Sequence, residues 1–472
     1  MQSVKVYADP SASELVEGFR RIRRGMGLAE SFPAAVQREA ERVALRPVEP
    51  GPGRADRTDL DLVTIDPPGS RDLDQAFYGQ RTAGGYRVHY AIADLGHFVD
   101  PGSELEAESL RRGATLYSPD TRTPLYPPVL GEGAASLLPG VDRPAVLWTI
   151  DVDPAGWVRS TVVDRAIVRS RQQMTYEQAQ RLLDSEAGGE SLEVMREVGS
   201  ARLRIEEERG GVDLRIPEQQ INKTAGGFEL AYRSDHSVER WNAQISLMTG
   251  IAAASMMLHN GTGLLRTLPP PAEETLAGLR ASAAVLGLEW PRGLPYQAMV
   301  RRQSPADPRS AAFLAAARVL FRGAGYQFFT GEPPDQANHY AVAAPYAHVT
   351  APLRRMADRL CNELLLAGGR EAPDWLVTRL ADAPEVMKQA ERRARELESR
   401  IVDYVEARLL AGRLGDEFDA TVVQCGGKGC VVQLASPAVL ATAEGEGRLG
   451  ERVRVRLTSA DPESGKVRFD FL

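Results

Sequence analysis

The order of the hydrophobic patterns along the chain is the feature that most restricts its fold. Short runs with β-strand character come first, and longer runs of helical periodicity follow without a regular alternation of the two. Such an order is typical of α+β proteins with a mixed sheet and packed helices, and it argues against a doubly wound parallel sheet. The strand-like runs are residues 60–65, 86–93 and 146–152, and the helical runs are residues 239–258, 273–286 and 311–321.

A second change of pattern near residue 415 predicts a separate C-terminal barrel. Residues 384–414 carry an apolar stripe at i, i+4 spacing and predict one helix, which Gly412 and Gly415 end. Residues 420–424, 429–434 and 451–457 then alternate between apolar and polar side chains. Several short strands in so small a unit predict a five-stranded barrel of the OB type.

The first 55 residues predict a short helical segment. Residues 11–24 and 32–45 are amphipathic, and a stretch rich in Pro and Gly at residues 47–53 breaks the pattern. The two helices are either connecting helices or a small helix-turn-helix-like module. The predicted domains are therefore the helical segment at residues 1–55, a mixed helix-and-sheet domain at residues 56–415, and the barrel at residues 416–472.

The composition describes an ordinary globular chain and excludes several classes. Of the 472 residues, 26% are charged, and the formal net charge is −7. No apolar run approaches the 18 or so residues of a membrane span, and the N-terminus lacks the basic-then-apolar order of a secretory signal, so we expect a cytoplasmic protein. Cys361, Cys425 and Cys430 lack CxxC spacing and are interpreted as buried thiols rather than a disulfide framework or a zinc site.

The overall acidity argues weakly against a nucleic-acid partner, but one basic cluster stands out locally. In the predicted barrel, three arginines alternate with apolar residues and therefore line one face of a strand. This face either binds a phosphate backbone or is simply a solvated strand surface. The three arginines are Arg452, Arg454 and Arg456.

An Asp-rich segment offers the strongest evidence of chemistry. An apolar run delivers Asp66 at its end, a Pro-Pro-Gly turn follows, and Asp72 and Asp74 return two positions apart on one face of an extended segment. Like charges packed together repel unless a cation neutralises them, and an all-oxygen ligand set suits magnesium or manganese better than zinc. An isolated Asp-x-Asp is weak evidence, because most such turns are solvated.

The wider sequence around these aspartates resembles the ribonuclease II family, the RNB exoribonucleases. The resemblance covers roughly residues 30–472 and implies an α+β catalytic domain followed by an S1-type barrel. It also implies a short member of the family, because some 60 residues before Asp66 cannot hold the two N-terminal cold-shock domains of typical bacterial members. The five motifs are Val63-Thr-Ile-Asp66 with the following residues to Ala76, Ile92-Ala-Asp94-Leu-Gly-His97, Arg112-Gly-Ala-Thr-Leu-Tyr117, Ser136-Leu-Leu-Pro-Gly-Val-Asp142-Arg143, and Tyr346-Ala-His348-Val-Thr350-Ala-Pro352-Leu-Arg354-Arg355.

The resemblance assigns the acidic segment to metal binding. It implies that Asp66, Asp72 and Asp74 surround magnesium, or manganese, at the scissile phosphate. Asp74 matches the carboxylate on which the family's chemistry most depends. Gln75 stands at the position of a fourth family aspartate, where an amide oxygen can still bind a metal but brings no negative charge.

Two further positions are assigned to catalysis. Thr350 followed by Pro352 predicts a helix N-terminus, so Arg354 would lie in the first helical turn, where free N–H groups attract phosphate. The resemblance selects Arg354 over Arg355 as the ligand of the scissile phosphate and leaves Arg355 as a neighbouring RNA contact. Glu398 matches a family glutamate at the active-site mouth, and a solvated helix face is its alternative.

Two tyrosines are assigned to RNA. The resemblance places Tyr117 in an aromatic pair that clamps the final base by stacking, and a core tyrosine is the alternative reading. Tyr176 resembles a family tyrosine that contacts the sugar. No aromatic residue in the stretch 215–222 supplies the second ring of the clamp.

The resemblance implies a magnesium-dependent, hydrolytic 3′→5′ exoribonuclease that acts on the 3′ end of single-stranded RNA and releases nucleoside 5′-monophosphates. It implies no membrane and no obligate protein partner. Without cold-shock domains, duplex or structured RNA would be better tolerated. The alternatives are a catalytically degenerate RNA-binding protein of the same type and, with less support, a magnesium phosphatase of small molecules.

Overall fold

The computed structural model describes residues 12–212, 218–224, 227–233, 236–304, 307–368, 372–426, 429–434 and 439–472. The α-helices of this part of the chain are α1 Ala12–Gly25, α2 Ala34–Val43, α3 Glu104–Arg112, α4 Tyr176–Asp184, α5 Gly189–Arg209, α6 Ser237–Asn260, α7 Glu273–Val285, α8 Tyr296–Arg301, α9 Pro308–Ala317, α10 Met356–Leu366 and α11 Asp374–Leu410.

The strands before the barrel are β1 Arg54–Asp56, β2 Leu62–Ile65, β3 Gln75–Thr82, β4 Gly85–Ala93, β5 Leu116–Tyr117, β6 Arg122–Thr123, β7 Asp142–Val152, β8 Val158–Met174, β9 Glu218–Thr224, β10 Gly227–Arg233, β11 Thr262–Thr267, β12 Gly325–Thr330, β13 Asn338–His339 and β14 Ala344–Pro345. The barrel strands are β15 Glu417–Gly426, β16 Gly429–Leu434, β17 Leu440–Glu444, β18 Arg452–Asp461 and β19 Lys466–Phe471.

A six-stranded mixed sheet forms the centre of the large domain, in the order β1-β8-β2-β3-β4-β7. The long strand β8 pairs in parallel with β2 near its C-terminal end and antiparallel with β7 over its earlier part. This confirms the α+β prediction. Strands β2 and β3 are antiparallel neighbours, so the end of β2 and the start of β3 lie at the same edge of the sheet. The loop that joins them carries the Asp-rich segment.

Both N-terminal helices predicted from amphipathicity are present, but they do not pack on each other as a helix-turn-helix-like module would. Leu15 and Phe19 of α1 are buried against α11, in a cluster that includes Leu397 and Val405. Val36 and its neighbours on α2 join the main core of the large domain. Each helix therefore buries its apolar side on a different part of that domain.

The longest helix differs from its prediction in where it begins. Pro384 was expected to start it, yet α11 begins at Asp374 and contains Pro384 in its interior. A proline inside a helix removes one hydrogen bond and crowds the preceding turn, at a cost of about 3 kcal/mol. Burial of the residues before and after it offsets this cost, since Leu376, Leu380 and Met387 are each no more than 1% exposed.

The C-terminal barrel is closed in the order β15-β16-β17-β19-β18, as the alternating pattern predicts. Its interior holds one set of alternating side chains, including Phe418, Val432 and Phe469, while the intervening residues face outward. The barrel is attached to the large domain in part by the Leu440 N–H, which donates to the Glu406 carboxylate of α11 at 2.9 Å.

The interpretation of the cysteines is corrected in part. Cys361 is a buried free thiol, as expected. Cys425 and Cys430, however, face each other across the β15–β16 hairpin and form a disulfide. A directly opposed pair on antiparallel strands brings two side chains close together, which the spacing of five residues did not suggest.

Candidate active site

The loop between β2 and β3 brings the three predicted aspartates to one edge of the sheet. The backbone N–H of Asp66 donates to the Met174 carbonyl at 3.0 Å, which fixes the end of β2. Further along, the buried Leu73 N–H donates to the Ser136 hydroxyl at 2.9 Å, and that hydroxyl donates to the Arg71 carbonyl at 2.6 Å. The backbone on either side of Asp72 is therefore anchored through the Ser136 hydroxyl.

Asp74 is the most buried of the three carboxylates, with 5% of its surface exposed. One oxygen accepts the Leu353 N–H at 2.7 Å, and the other lies 3.2 Å from Nε of Arg354. Burial raises the pKa of Asp74 to about 7, and the Arg354 guanidinium opposes this only in part. A carboxylate with so high a pKa gains much from a cation beside it.

Asp66 shares this environment. Burial raises the pKa of Asp66 to about 6, Arg354 lowers it, and Asp72 adds a further increase by charge repulsion. Arg354 is thus within electrostatic range of both Asp66 and Asp74. The structure brings together the three aspartates and the arginine that the sequence singled out.

Asp72 contacts a short hairpin whose strands β5 and β6 pair Tyr117 with Arg122. Arg122 forms an ion pair with Asp72 and a second one with Glu132, at 2.8 Å. The Tyr117 hydroxyl lies 3.4 Å from the other Asp72 oxygen, while the side chain remains 54% exposed. Tyr117 therefore presents a ring to solvent beside the aspartates, which excludes its alternative reading as a core tyrosine.

Gln75 has protein partners for both ends of its carboxamide. The nitrogen donates to the Thr350 carbonyl at 2.6 Å, and the oxygen accepts the Tyr90 hydroxyl at 2.5 Å and the Ser246 hydroxyl at 3.4 Å. These bonds tie the start of β3 to α6 and to the segment just before Arg354. The assignment of Gln75 as a metal ligand stays a prediction, and the oxygen it would use already accepts hydrogen bonds.

The prediction of Arg354 in a first helical turn is wrong. Residues 352–354 form a turn in which the Ala351 carbonyl accepts the Arg354 and Arg355 N–H groups, and α10 begins only at Met356. Arg355 is extended and bridges to Ala114. Backbone pairing with the residues before β5 therefore outcompetes the earlier helix start, and Arg354 is held by a turn instead.

The two adjacent arginines differ in their partners. The Arg354 side chain is 46% exposed, and its Nε lies 3.2 Å from one Asp74 oxygen. Arg355 makes two hydrogen bonds of 2.9 Å to the fully buried Asp358, one from Nε and one from Nη2. Arg354 is therefore the guanidinium that an incoming anion can reach, whereas Arg355 is engaged in the wall behind it.

The donor chemistry of the site fits a hard divalent cation. Three carboxylates lie close enough for their charges to interact, and burial raises the pKa values of Asp66 and Asp74, which a cation would reverse. Among the described residues, however, no group of three or more His, Cys, Asp or Glu side chains is arranged as a ready ligand set. The positively charged partners of Asp72 and Asp74 are Arg122 and Arg354, respectively.

The remaining predicted residues lie at different distances from this centre. Tyr176, the first residue of α4, is half-buried, and burial together with the nearby Asp66 carboxylate raises its pKa. Glu398 is exposed on α11, one residue beyond Leu397, which packs with Leu116 of β5. No hydrogen bond or ion pair joins Glu398 to the aspartates within the described ranges. The stretch 215–222, searched for a second clamp ring, lies largely outside the residues whose side chains are described.

The arginine face of the barrel carries both signs of charge. Arg454 and Arg456 each pair with Glu417 on the neighbouring strand, at 2.9 and 2.8 Å. Arg452 is exposed on the same side of β18. The predicted alternation is confirmed, but acidic residues on β15 offset the cluster that the sequence suggested.

Sequence reasoning missed Arg122 and Tyr90, which contact Asp72 and Gln75. The Ser-Pro-Asp-Thr segment after Tyr117 is a turn signal, and it could have placed Arg122 beside Tyr117 across a hairpin. Tyr90 lies in an apolar strand and carried no such signal.

No helix within the described residues is both long enough and apolar enough to cross a membrane.

Comparison with known proteins gives two domain matches. Residues 54–368 match the family described as the RNB domain, and residues 416–471 match the RNase II-type exonuclease C-terminal S1 domain. The ribonuclease R of Vibrio parahaemolyticus is 28% identical over 444 residues, which make up 85% of this chain and 51% of that protein. The chain spans about half the length of the curated relatives it matches first.

Solved structures share the fold. The ribonuclease R of Mycoplasma genitalium in complex with ribose-methylated single-stranded RNA aligns with a TM-score of 0.88 and 18% identity, over 97% of this chain and 78% of that one. Its complex with double-stranded RNA gives a TM-score of 0.85 and 20% identity, over 97% and 83% of the two chains.

Proposed function

Because the chain belongs to the RNB family, we propose that it is a magnesium-dependent exoribonuclease that hydrolyses RNA from the 3′ end and releases nucleoside 5′-monophosphates. One observation carries the proposal. Asp74, a buried carboxylate with a pKa raised to about 7, accepts a hydrogen bond from the turn that also presents Arg354. The Asp74 carboxylate, which can bind a cation, and the Arg354 guanidinium, which can bind a phosphate, therefore lie side by side.

The cation would be held by Asp66, Asp72 and Asp74, the aspartates that the family resemblance assigns to it. A bound divalent ion supplies Lewis-acid activation of water and stabilisation of the leaving oxygen. Manganese would serve the same oxygen ligands.

Arg354 binds and orients the scissile phosphate in this proposal. Its guanidinium is partly exposed and rests against Asp74, so an RNA phosphate can take over the donors that Asp74 does not fix. The backbone of the same turn holds Asp74 through Leu353, which keeps carboxylate and guanidinium in register. Charge that develops on the phosphate is then met by a preorganised cationic group.

Tyr117 and Tyr176 supply sequence-independent contacts. Tyr117 offers an exposed ring on which any terminal base can stack. Tyr176 lies near Asp66, where its hydroxyl can reach a sugar, and contacts to the 2′-hydroxyl distinguish RNA from DNA. Glu398 and Arg355 would act further out, at the mouth and the wall of the site.

The barrel would contribute affinity for the RNA backbone. Arg452, Arg454 and Arg456 lie in a row on one strand face, and phosphates can compete with Glu417 for them. Because this attraction is electrostatic and not specific for bases, we propose single-stranded RNA without marked sequence preference as the substrate, with structured RNA tolerated.

Two labelled versions of one oligoribonucleotide test the proposal. With magnesium, a 5′ label should move down a ladder of shortened RNAs, while a label in the last nucleotide should appear at once as a nucleoside 5′-monophosphate. EDTA should stop both changes. RNA that is bound but remains intact in magnesium and in manganese would contradict the proposal and leave a degenerate RNA-binding protein. Release of inorganic phosphate from small phosphomonoesters alone would indicate a phosphatase.

A further inference from the structure

The site hairpin, formed by β5, β6 and the residues between them, carries two side chains to the aspartates. Tyr117 lies at the end of β5 and Arg122 at the start of β6, directly opposite each other. The Ser118 N–H donates to the Thr121 carbonyl at 2.8 Å and closes the turn. Whatever positions this turn therefore positions both the stacking ring and the partner of Asp72.

One ion pair joins the turn of the site hairpin to helix α1. Nη1 and Nη2 of Arg23 donate to the two Asp120 oxygens at 2.7 and 2.9 Å. Both side chains are more than nine-tenths buried, with 5% and 9% of their surfaces exposed. A paired guanidinium and carboxylate in this two-pronged geometry fix direction as well as distance.

Helix α1 is itself held firmly against α11. Leu15 and Phe19 are buried there, and the Phe19 ring meets the Tyr404 ring edge-on with centroids 5.9 Å apart. A side chain at Gly18 would overlap Tyr404, so the two helices approach as closely as a glycine permits. The Tyr404 hydroxyl also donates to the Glu14 carbonyl at 3.1 Å. Arg23 thus projects from a fixed support.

The site hairpin also borders an open cavity, which the residues of its turn, including Asp120, help to line. A cavity of about 740 Å³ lies between this hairpin and the segment that links α1 to α2. Its walls include Phe32 and Gln37 on one side, and Tyr117, Thr121 and Glu132 on the other. Because a cavity replaces packed side chains beside the turn, packing restrains the turn less on that side. The Arg23–Asp120 ion pair restrains it instead.

We infer that Arg23 is a positioning residue for substrate binding: through Asp120 it sets the site hairpin so that Tyr117 can stack on the terminal base while Arg122 orients Asp72. This inference rests on the proposed function. Helix α1 precedes the residues matched by the RNB domain. The inference assigns this helix a role in positioning active-site residues rather than in a separate binding module.

The kinetic test is a comparison of R23A, D120A and the charge-reversed pair R23D/D120R in the full chain. Loss of the ion pair should raise KM for RNA roughly tenfold to a hundredfold, which is the effect expected when stacking on one base is lost, with a smaller change in kcat. The reversed pair should recover most of the loss. R20A is the matched control, because Arg20 lies on the same helix and, among the residues that the structure describes, forms its ion pairs with the exposed Glu17 and Glu30.

Two readouts do not require turnover and separate this inference from the proposed function. Hydrogen exchange of residues 116–123 should accelerate in R23A relative to R20A. The fluorescence of a 2-aminopurine at the RNA 3′ terminus should be quenched less by the R23A/D74N chain than by the D74N chain. An inactive wild-type enzyme would overturn the proposed function, whereas these two readouts would still decide the role of Arg23.

The inference is overturned if R23A and D120A keep the wild-type KM and the wild-type exchange at residues 116–123, even when their melting temperatures fall. It is also overturned if R23D/D120R binds RNA no better than the single variants. Should R23A fail to fold, R23K carries the test, since it keeps the charge but loses one of the two hydrogen bonds. It should then shift KM in the same direction by a smaller factor.

Discussion

The acidic site and the barrel face both collect charged side chains on β structure, yet they satisfy those charges in opposite ways. On the barrel, Glu417 lies directly opposite Arg456 on the neighbouring strand and diagonal to Arg454, it pairs with both, and all three side chains remain at least one-third exposed. In the site, Asp74 is buried, and its partners Leu353 and Arg354 come from about 280 residues further along the chain.

The two regions therefore differ in how much a further ligand can stabilise their charges. Exposed cross-strand pairs are screened by water and leave no charge in need of a further partner. The buried aspartates have pKa values raised to about 6 and about 7, so their ionised forms are costly until a cation arrives. A region whose buried charges are only partly compensated is a stronger candidate for catalysis than a region whose charges are already paired.

The largest effect should come from Asp74. D74N keeps the size of the side chain but removes the charge that the site is built around, and we expect turnover to fall at least about a thousandfold, the scale of a lost central catalytic group. RNA affinity should change little, because the barrel and Tyr117 remain. Hydrolysis and filter binding should be measured on the same preparation. Retained hydrolysis would show that the buried acid is not the reactive centre.

Arg354 and Arg355 provide a matched pair for the next test. R354A should lower kcat by roughly a hundredfold to a thousandfold through lost stabilisation of the phosphate, with little loss of stability. R355A should instead leave the Asp358 carboxylate buried without its positively charged partner and destabilise the fold by about 3–5 kcal/mol. Single-turnover rates and urea unfolding distinguish the two. Equal effects of both variants on both measurements would contradict the assigned division of roles.

Substitutions at Gln75 should have effects between those of the arginine variants and those of the barrel variants. Q75A removes three hydrogen bonds and should cost about 1–3 kcal/mol of stability, since the buried Thr350 carbonyl loses its donor, whereas the Tyr90 hydroxyl keeps Ser246 at 2.7 Å. Q75D restores the carboxylate of the family pattern but cannot donate to Thr350, so its rate should not exceed that of the wild type. A faster Q75D, with tighter magnesium binding by calorimetry, would show that this position serves the cation after all.

The barrel should give the smallest effects. The double variant R454A/R456A should weaken RNA binding only a few-fold and reduce its salt dependence by about one unit of slope per lost phosphate contact. E417Q is its counterpart, because it removes the negative charge that both arginines share, although Arg454 keeps Asp419 at 3.8 Å, and it should strengthen binding at low salt. Fluorescence anisotropy over a salt series measures both. Unchanged affinity in the two variants would mean that the arginine face is a solvated strand surface.

The parts of the fold that were predicted correctly are those set by the order of apolar and polar residues within a short stretch of chain. Alternation along β15–β19 predicts the barrel, and amphipathicity predicts α1, α2 and the C-terminal part of α11. The start of α11 was missed because Pro384 is tolerated only through tertiary burial of its neighbours. The turn at Arg354 was missed for a related reason, since the pairing of Arg355 with Ala114 comes from a distant segment.

Within the site, residue types were easier to predict than partners. Asp66, Asp72 and Asp74 are recognisable from their spacing, and the structure brings them together with Arg354. The bond from Gln75 to Thr350 spans 275 positions, and the pair of Arg23 with Asp120 spans 97, so neither leaves a periodic trace in the sequence. Contacts of this kind arise from the assembled fold alone.

The most direct measurement compares single-turnover hydrolysis of one labelled RNA by the wild-type chain, D74N and R454A/R456A, with saturating enzyme and magnesium. D74N should lose at least about a thousandfold in rate, while the barrel variant should stay within about tenfold of the wild type. A D74N rate close to that of the wild type, or a larger loss in the barrel variant than in D74N, would show that the acidic site is not the reactive centre.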